Sequence, residues 1–255
     1  MLRAHSLLWH YLWVAPNILL LILGFLMWRR ELYRQIPAFF AFAVLGAISE
    51  LSVYAADMIP SISPWTYWRI EWVNVLIIGL LKFVLIAEIF AHVFGPFVPV
   101  AKLGKGLIRS LGVVLVLAGT ALATFAPPDG RFGIISGAHL SEHAVYLVES
   151  GLLVFIFLFA AYFRLTWPRQ QFGIALGLGI SSCVHLATLA LTNSGVTESK
   201  RMALVFFNMT TYHAVVLMWF YYLLVPQKVI AKPGVPLPDH SLEVWNRELE
   251  RLIHK

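Results

Sequence analysis

The chain has 255 residues, of which 60% are hydrophobic and only 13% are charged, and its formal net charge is +6. A water-soluble domain carries about 25% charged residues, so this composition excludes a protein whose surface mainly faces water. Basic residues collect in the loops beside a membrane, so we interpret the positive charge as loop anchoring and expect no nucleic-acid partner.

The hydrophobic residues form segments long enough to cross a bilayer, which takes about 20 mostly apolar residues. Turn signals such as Pro-Ser-Ile-Ser-Pro at 60–64 and Pro-Pro-Asp-Gly at 127–130 separate them. The sequence therefore predicts an all-α, polytopic membrane protein in which residues 1–226 form a seven-transmembrane-helix bundle. The predicted spans are 7–28, 36–59, 65–94, 111–125, 144–165, 172–192 and 202–225.

The positions of lysine and arginine predict the orientation, because these residues are enriched in cytoplasmic loops. One side of the predicted bundle holds Arg29, Arg30, Arg34, Lys102, Lys105, Arg109, Arg164, Arg169, Lys228 and Lys232. The other side holds Arg3, Arg69, Arg131, Lys200 and Arg201. We expect the first side to be cytoplasmic. The N-terminus then lies outside and the C-terminus inside, and we place the protein in a bacterial inner membrane.

Five predicted spans carry a strong polar group at a similar depth. At about 1.5 Å per residue these groups lie roughly 10–18 Å below the outer ends of their helices. They are Glu50, Asn74, Glu149, His185 and His213, and Tyr54, Tyr146 and Asn208 are further candidates. An ionisable residue at such a depth usually faces the bundle or a wet cavity. We predict an outward-facing polar pocket, although hydrogen bonds between helices would explain the same residues without a ligand.

Lys82 lies deeper, near the middle of the third predicted span. A buried lysine needs a carboxylate partner, and Glu50 is the first candidate for this ion pair. Lys82 and Glu71 are eleven residues apart, so they lie on one stripe of their helix.

The same residues allow a metal or haem site as an alternative. His185 and His213 are ligand types for zinc, iron or a bis-histidine haem, and Glu50 and Glu149 are ligand types for a metal ion. Each of the four residues comes from a different helix, and no His-x₃-His pair is present. We therefore expect no cofactor, and we leave a membrane-embedded metal- or haem-binding enzyme or redox subunit open as the second function.

Two connections add further expectations. Residues 126–141 form the longest predicted outer loop, which either covers the pocket as a lid or is simply exposed. Gly173, Gly177 and Gly179 in the sixth predicted span are expected to let helices approach closely. Transport of a small solute is a third possible function, although no internal repeat supports it.

Residues 227–255 are predicted to form a cytoplasmic linker followed by an amphipathic helix. The linker is rich in proline, and the helix runs from Leu242 to about His254. Its apolar stripe comprises Leu242, Trp245, Leu249 and Leu252, with Ile253 beside them. We expect this stripe to dock on the bundle, on the membrane or on a cytoplasmic protein partner.

The run Glu88-Ile-Phe-Ala-His-Val-Phe94, together with an amphipathic tail after the last span, resembles bacterial seven-helix integral membrane proteins. The run covers seven residues, and the resemblance implies a seven-helix membrane fold without implying an activity. A receptor-like or small-ligand-binding membrane protein remains the first functional hypothesis, and no catalytic residue is assigned.

Overall fold

The computed structural model describes residues 5–94, 131–162, 165, 167–193 and 197–225, with isolated positions 106, 110 and 113. In the helix that begins at residue 131, side chains are described from residue 145 onwards. The predicted fourth span at 111–125 and the predicted tail at 227–255, with its helix from Leu242, lie outside the described residues.

The described residues fold into six long helices. They are α1 (Leu7–Arg29), α2 (Pro37–Met58), α3 (Pro64–Phe94), α4 (Arg131–Tyr162), α5 (Arg169–Asn193) and α6 (Glu198–Leu224). By length and composition, all six are able to cross a membrane, α4 through its segment Val145–Tyr162. The described fold is therefore all-helical and compatible with an integral membrane protein.

Local chemistry explains several helix ends. Ser6 caps α1, since its hydroxyl accepts a hydrogen bond from the Trp9 backbone N–H at 3.3 Å. Pro37 occupies the first turn of α2, where a missing N–H costs nothing. The carboxylate of Glu88 on α3 accepts the backbone N–H of Ala38 at 2.6 Å, so it satisfies a free donor at the start of α2.

The largest difference from the predicted spans is at α4. This helix begins at Arg131, thirteen residues before the predicted start at Ala144. Residues 131–141 are therefore helical, and the expected outer loop or lid over 126–141 does not form along that part of its length.

The six described helices pack in a ring. Each packs against its neighbours in the chain, and α6 closes the ring against α1. Helices α3 and α4 are parallel, because Gly79 lies beside Val145, Lys82 beside Glu149 and Phe94 beside Phe159. Helices α1 and α6 run in this same direction, whereas α2 and α5 run in the opposite one.

The two ends of the bundle differ in charge and in packing. We call the end where Arg30, Arg169 and Val225 meet the basic end. The half of the bundle next to it holds the main apolar core, in which Phe39, Phe94 and Trp219 are fully buried. Large hydrophobic side chains such as Leu158 point outward from the bundle, as expected for a surface that meets lipid.

Candidate functional site

The half of the bundle away from the basic end contains a small polar cavity between α2, α3 and α4. Its volume is about 50 Å³. Its polar lining comprises Glu50, Glu71, Asn74, Lys82 and Tyr146, and Val75, Ile78, Gly79 and Val145 complete the wall. Three helices thus direct ionisable or hydrogen-bonding groups to one place inside an apolar bundle.

A buried ion pair lies at the deep end of this cavity, where its lysine, Lys82, is part of the lining. The ammonium group of Lys82 lies 3.0 Å from Oε2 of Glu149, and the two side chains are only 8% and 1% exposed. The ammonium group also lies 4.0 Å from the centre of the Tyr146 ring, close enough for a cation–π interaction. In a low-dielectric interior, this pairing offsets part of the large cost of removing both charges from water.

The carboxylate that pairs with Lys82 is Glu149, where the sequence analysis had favoured Glu50. The reason is the length of α4. Lys82 is the 18th residue after Pro64 and Glu149 is the 18th after Arg131, so the two lie at equal depths in parallel helices. Counted from the predicted span starts, Glu149 is five residues after Ala144 and Lys82 is 17 residues after Trp65, so the predicted spans do not bring these two residues to one level.

Glu50 instead contacts the shallower part of α3. Its Oε1 accepts a hydrogen bond from Nδ2 of Asn74 at 3.0 Å, and Oδ1 of Asn74 accepts one from the Ser49 hydroxyl. Asn74 is 4% exposed. It precedes Lys82 by eight residues, or about 12 Å along the helix, so Glu50 and Lys82 line the cavity at different levels.

A second set of polar contacts extends from Tyr146 of α4 to α5 and α6. The aromatic ring of Tyr146 stacks on that of His185 of α5, with centroids 3.8 Å apart and an interplanar angle of 22°. Nδ1 of His185 lies 3.0 Å from the Asn208 amide nitrogen of α6. The predicted pocket residues Tyr146, His185 and Asn208 are therefore brought together, but only Tyr146 lines the cavity.

Two other predicted pocket residues face α1. The hydroxyl of Tyr54 lies 3.0 Å from Nδ1 of His10, inside an aromatic cluster with Trp9 and Trp13. The ring of His213 lies against Tyr11 with centroids 5.6 Å apart. Neither Tyr54 nor His213 lines the cavity.

Two charged residues that line the cavity, Glu71 and Lys82, were not among the predicted pocket residues. The signal for both was present, because their spacing of eleven residues places them on the stripe of α3 that also carries Asn74 and Val75. Ser49 was also missed, since a serine in a span is too common to indicate a site.

The described residues contain no group of three or more His, Cys, Asp and Glu side chains arranged to hold a metal ion. His185 contacts Tyr146 and Asn208, whereas His213 contacts Tyr11, so the two histidines suggested as metal or haem ligands have different surroundings.

The volume limits what the cavity accepts. A space of about 50 Å³ holds a few water molecules or a group as small as an ammonium ion. Pockets for larger organic ligands are about 300–1,000 Å³. The cavity suits proton-bearing or cationic groups of a few atoms.

No protein-family model matches the chain, and no match is found among curated proteins or among solved structures. The function is therefore argued from the chemistry of the cavity and its surroundings.

Proposed function

We propose that the protein is a seven-span integral membrane protein that binds a small, cationic polar ligand in the cavity between α2, α3 and α4. The observation that supports this proposal best is the buried pair of Lys82 and Glu149 at the wall of a polar cavity. Charged residues in a membrane span are costly, and they usually mark a binding site or an ion path.

The cost of the pair argues for a role beyond holding helices together. Well-packed apolar residues of similar volume often stabilise a protein as much as a buried ion pair does. The apolar core near the basic end already packs the same helices through side chains such as Ile86 and Ile156. A charge pair retained beside a polar cavity is explained better by a ligand than by packing alone.

Charge and size point to the class of ligand. Two carboxylates, those of Glu50 and Glu71, line the described part of the cavity, and the third, that of Glu149, pairs with the single ammonium group, that of Lys82. Their negative charge complements a cation. A primary ammonium group is small enough for the space and donates hydrogen bonds to carboxylate oxygens.

The seven-span topology is part of the proposal. Helices α3 and α4 are parallel, so Phe94 and Arg131 belong to opposite ends of the bundle, about 45 Å apart along a helix axis. One additional crossing between them, as predicted for 111–125, joins the two helices. The excess of lysine and arginine predicted for the basic end, ten residues against five, favours a cytoplasmic location for that end.

The receptor-like part of the hypothesis also remains a proposal. In it, ligand binding is reported to a cytoplasmic partner by the predicted tail helix through Leu242, Trp245, Leu249 and Leu252. The cavity then opens outside, and the tail lies inside.

Ligand binding is tested with the purified full chain in neutral detergent. We expect methylammonium chloride to raise the unfolding temperature in a saturable manner, because a ligand stabilises the state it binds. Sodium acetate, an anion of similar size, should have no such effect. Glu50→Gln should abolish the methylammonium response, since glutamine keeps the acceptor for Asn74 but lacks the charge.

The matched control is Glu31→Gln, which removes an exposed carboxylate at the basic end. Its response to methylammonium should equal that of the unaltered protein. An equal response to both salts, or an unchanged response in Glu50→Gln, would contradict the proposed site.

The topology is tested by labelling single cysteines in whole cells with a membrane-impermeant maleimide, after Cys183 is replaced by alanine. Cysteines placed at Ser61 and Arg131 should react from outside, whereas one at Gln35 should react only after lysis. Labelling of positions 61 and 131 from different sides would rule out the additional crossing.

Transport is a second candidate, favoured by one observation in α2. Residues Phe42–Gly46 form a π-helical turn, and such turns are frequent at functional sites. If the protein transports its ligand, proteoliposomes should accumulate labelled methylammonium, and Glu50→Gln should prevent this. Binding without accumulation would favour the receptor-like role.

A further inference from the structure

Arg169, at the start of α5, lies between two surface grooves at the basic end. The first groove is about 460 Å³, lies between α1, α5 and α6, and contains Arg30 as well as Arg169. The second groove is about 520 Å³ and lies between α4 and α5. Apart from Arg169, the described residues that line it are apolar or aromatic: Phe157, Ala160, Ala161, Leu165, Trp167 and Phe172.

The two arginines are held by the end of α6. Arg30 donates a hydrogen bond to the carbonyl of Leu224 at 3.1 Å, and Arg169 donates to the carbonyls of Val225 at 2.9 Å and Tyr221 at 3.4 Å. The bonds to Leu224 and Val225 satisfy carbonyl groups at the end of the helix, and the Tyr221 carbonyl also accepts the Val225 backbone N–H. The bonds place both guanidinium groups at consecutive carbonyls, those of Leu224 and Val225.

Among the described residues, no carboxylate balances the positive charge of these two groups. Neither Arg30 nor Arg169 forms an ion pair within the part of the chain that the structure describes, whereas the nearby Arg34 pairs with Glu31 at 3.2 Å. A guanidinium group has five N–H donors. The hydrogen bonds to α6 use one donor of Arg30 and two of Arg169, which leaves donors for an anion.

We propose that the basic end binds one anionic phospholipid, with its phosphate on Arg30 and Arg169 and an acyl chain in the groove between α4 and α5. Guanidinium groups match the geometry of phosphate oxygens, and basic pockets between transmembrane helices suit anionic headgroups. The arginines lie where apolar spans end, which is the level of lipid headgroups.

The second groove selects a lipid over free phosphate. A free phosphate ion would contact only the arginines and would leave the apolar wall unused. A lipid fills both grooves at once, and its chain gains the contact with Phe157, Trp167 and Phe172. This site is separate from the polar cavity, and its test does not depend on that cavity.

The test uses the full chain, purified and stripped of lipid in neutral detergent, with bound lipid counted by native mass spectrometry. The probes are dioleoylphosphatidylglycerol, dioleoylphosphatidylcholine and inorganic phosphate. We expect one phosphatidylglycerol to bind at least tenfold more tightly than phosphatidylcholine. We expect millimolar phosphate neither to bind nor to displace it.

Two variants separate charge from chain binding. Arg30→Gln with Arg169→Gln should weaken phosphatidylglycerol binding by about 30-fold, from the usual contribution of two basic residues near an anionic lipid. Ala161→Trp keeps both arginines and fills the apolar groove, so it should weaken lipid binding without changing the charge. Arg29→Gln, at an exposed arginine of the same end that lines neither groove, is the matched control and should bind normally.

Arg169 also caps α6, so the double variant is checked for helical content. If the double-glutamine variant does not fold, a double-lysine variant takes its place. This variant, Arg30→Lys with Arg169→Lys, retains the charge, and its phosphatidylglycerol binding is compared with that of Ala161→Trp. Three results would overturn the proposal. The first is equal binding of phosphatidylglycerol and phosphatidylcholine, and the second is displacement of the lipid by phosphate. The third is full phosphatidylglycerol binding by both the double-glutamine variant and Ala161→Trp.

Discussion

Helices are held together by different means near the basic end and further from it. Near the basic end, α5 and α6 meet through apolar packing, where Gly173 and Gly177 let Tyr222 and Trp219 lie directly against the α5 backbone. Near the middle of the bundle, at the deep end of the polar cavity, α3 and α4 meet through the ion pair of Lys82 and Glu149. The first contact depends on shape, and the second depends on charge.

This difference distinguishes the contacts that hold the helices together from the contacts that are expected to bind a ligand. In lipid, small residues and close packing associate helices without any desolvated charge. A buried ion pair brings a large desolvation cost and adds little net stability. The half that packs by shape is therefore the scaffold, and the half that retains charges is where a ligand is expected.

The substitution with the largest expected effect on stability removes the ion pair between α3 and α4. Lys82→Met leaves Glu149 buried without its partner, and such a change costs about 3–5 kcal/mol. The free energy of unfolding, followed by far-ultraviolet circular dichroism as sodium dodecyl sulfate is added to mixed micelles, measures the loss. Lys82→Met combined with Glu149→Leu should recover most of it, because no charge then remains buried.

The control for this prediction is Arg201→Gln at the exposed pair Arg201–Glu198, whose closest atoms are 4.0 Å apart. Its effect should stay within about 0.5 kcal/mol, as is usual for exposed pairs. If Lys82→Met lowers the free energy of unfolding as little as this control does, Lys82 and Glu149 do not form a buried charge pair. The contrast between a charged and an apolar contact then fails.

The partner of Lys82 also indicates how far sequence reasoning reaches. Hydropathy and turn residues predict the helical, membrane-compatible fold, and helical periodicity places Glu71 and Lys82 on one stripe. The partner depends on where α4 begins. Residues 131–143 contain two glycines and two histidines, so hydropathy does not predict the helix that starts at Arg131.

Contacts between helices that are distant in sequence have no local signal either. The spacing of Gly173 and Gly177 predicts a close approach, and this is confirmed, but it does not predict that Tyr222 and Trp219 fill the space. Similarly, Tyr54 and His213 are predicted to line the pocket yet face α1, since sequence position alone leaves the rotation of a helix in the bundle undetermined.

The substitution with the next largest expected effect on stability disturbs the apolar contact between α5 and α6. In Gly177→Ala, the added methyl group would overlap the Trp219 ring and lie only 2.9 Å from Cγ1 of Val215. Both neighbours are buried, so we expect a loss of about 1–3 kcal/mol from overpacking. The same unfolding measurement applies.

Gly151→Ala is the matched control, because a methyl group there meets nothing within 4 Å. It should be neutral or raise stability by up to about 1 kcal/mol, since alanine favours a helix more than glycine does. Equal effects of the two substitutions would indicate that α5 and α6 do not depend on the close approach.

The smallest expected effect concerns the hydrogen bonds beside the cavity. Asn74→Leu removes the donor to Glu50 and the acceptor for Ser49, and we expect a loss of about 0.6–1.7 kcal/mol, the range for hydrogen bonds between membrane helices. Ser52→Ala is the control. The Ser52 hydroxyl bonds only to the Ile48 carbonyl of its own helix, and its removal should change stability by less than about 0.5 kcal/mol.

Asn74→Leu also sharpens the comparison of the two halves, because it lowers stability much less than Lys82→Met while it alters the same cavity. If the cavity binds a ligand, this variant should lose most of the methylammonium response despite its small effect on unfolding. A full methylammonium response in Asn74→Leu would mean that the ligand binds away from Asn74. A loss of stability as large as that of Lys82→Met would mean that the polar contacts beside the cavity stabilise the bundle as the apolar core does.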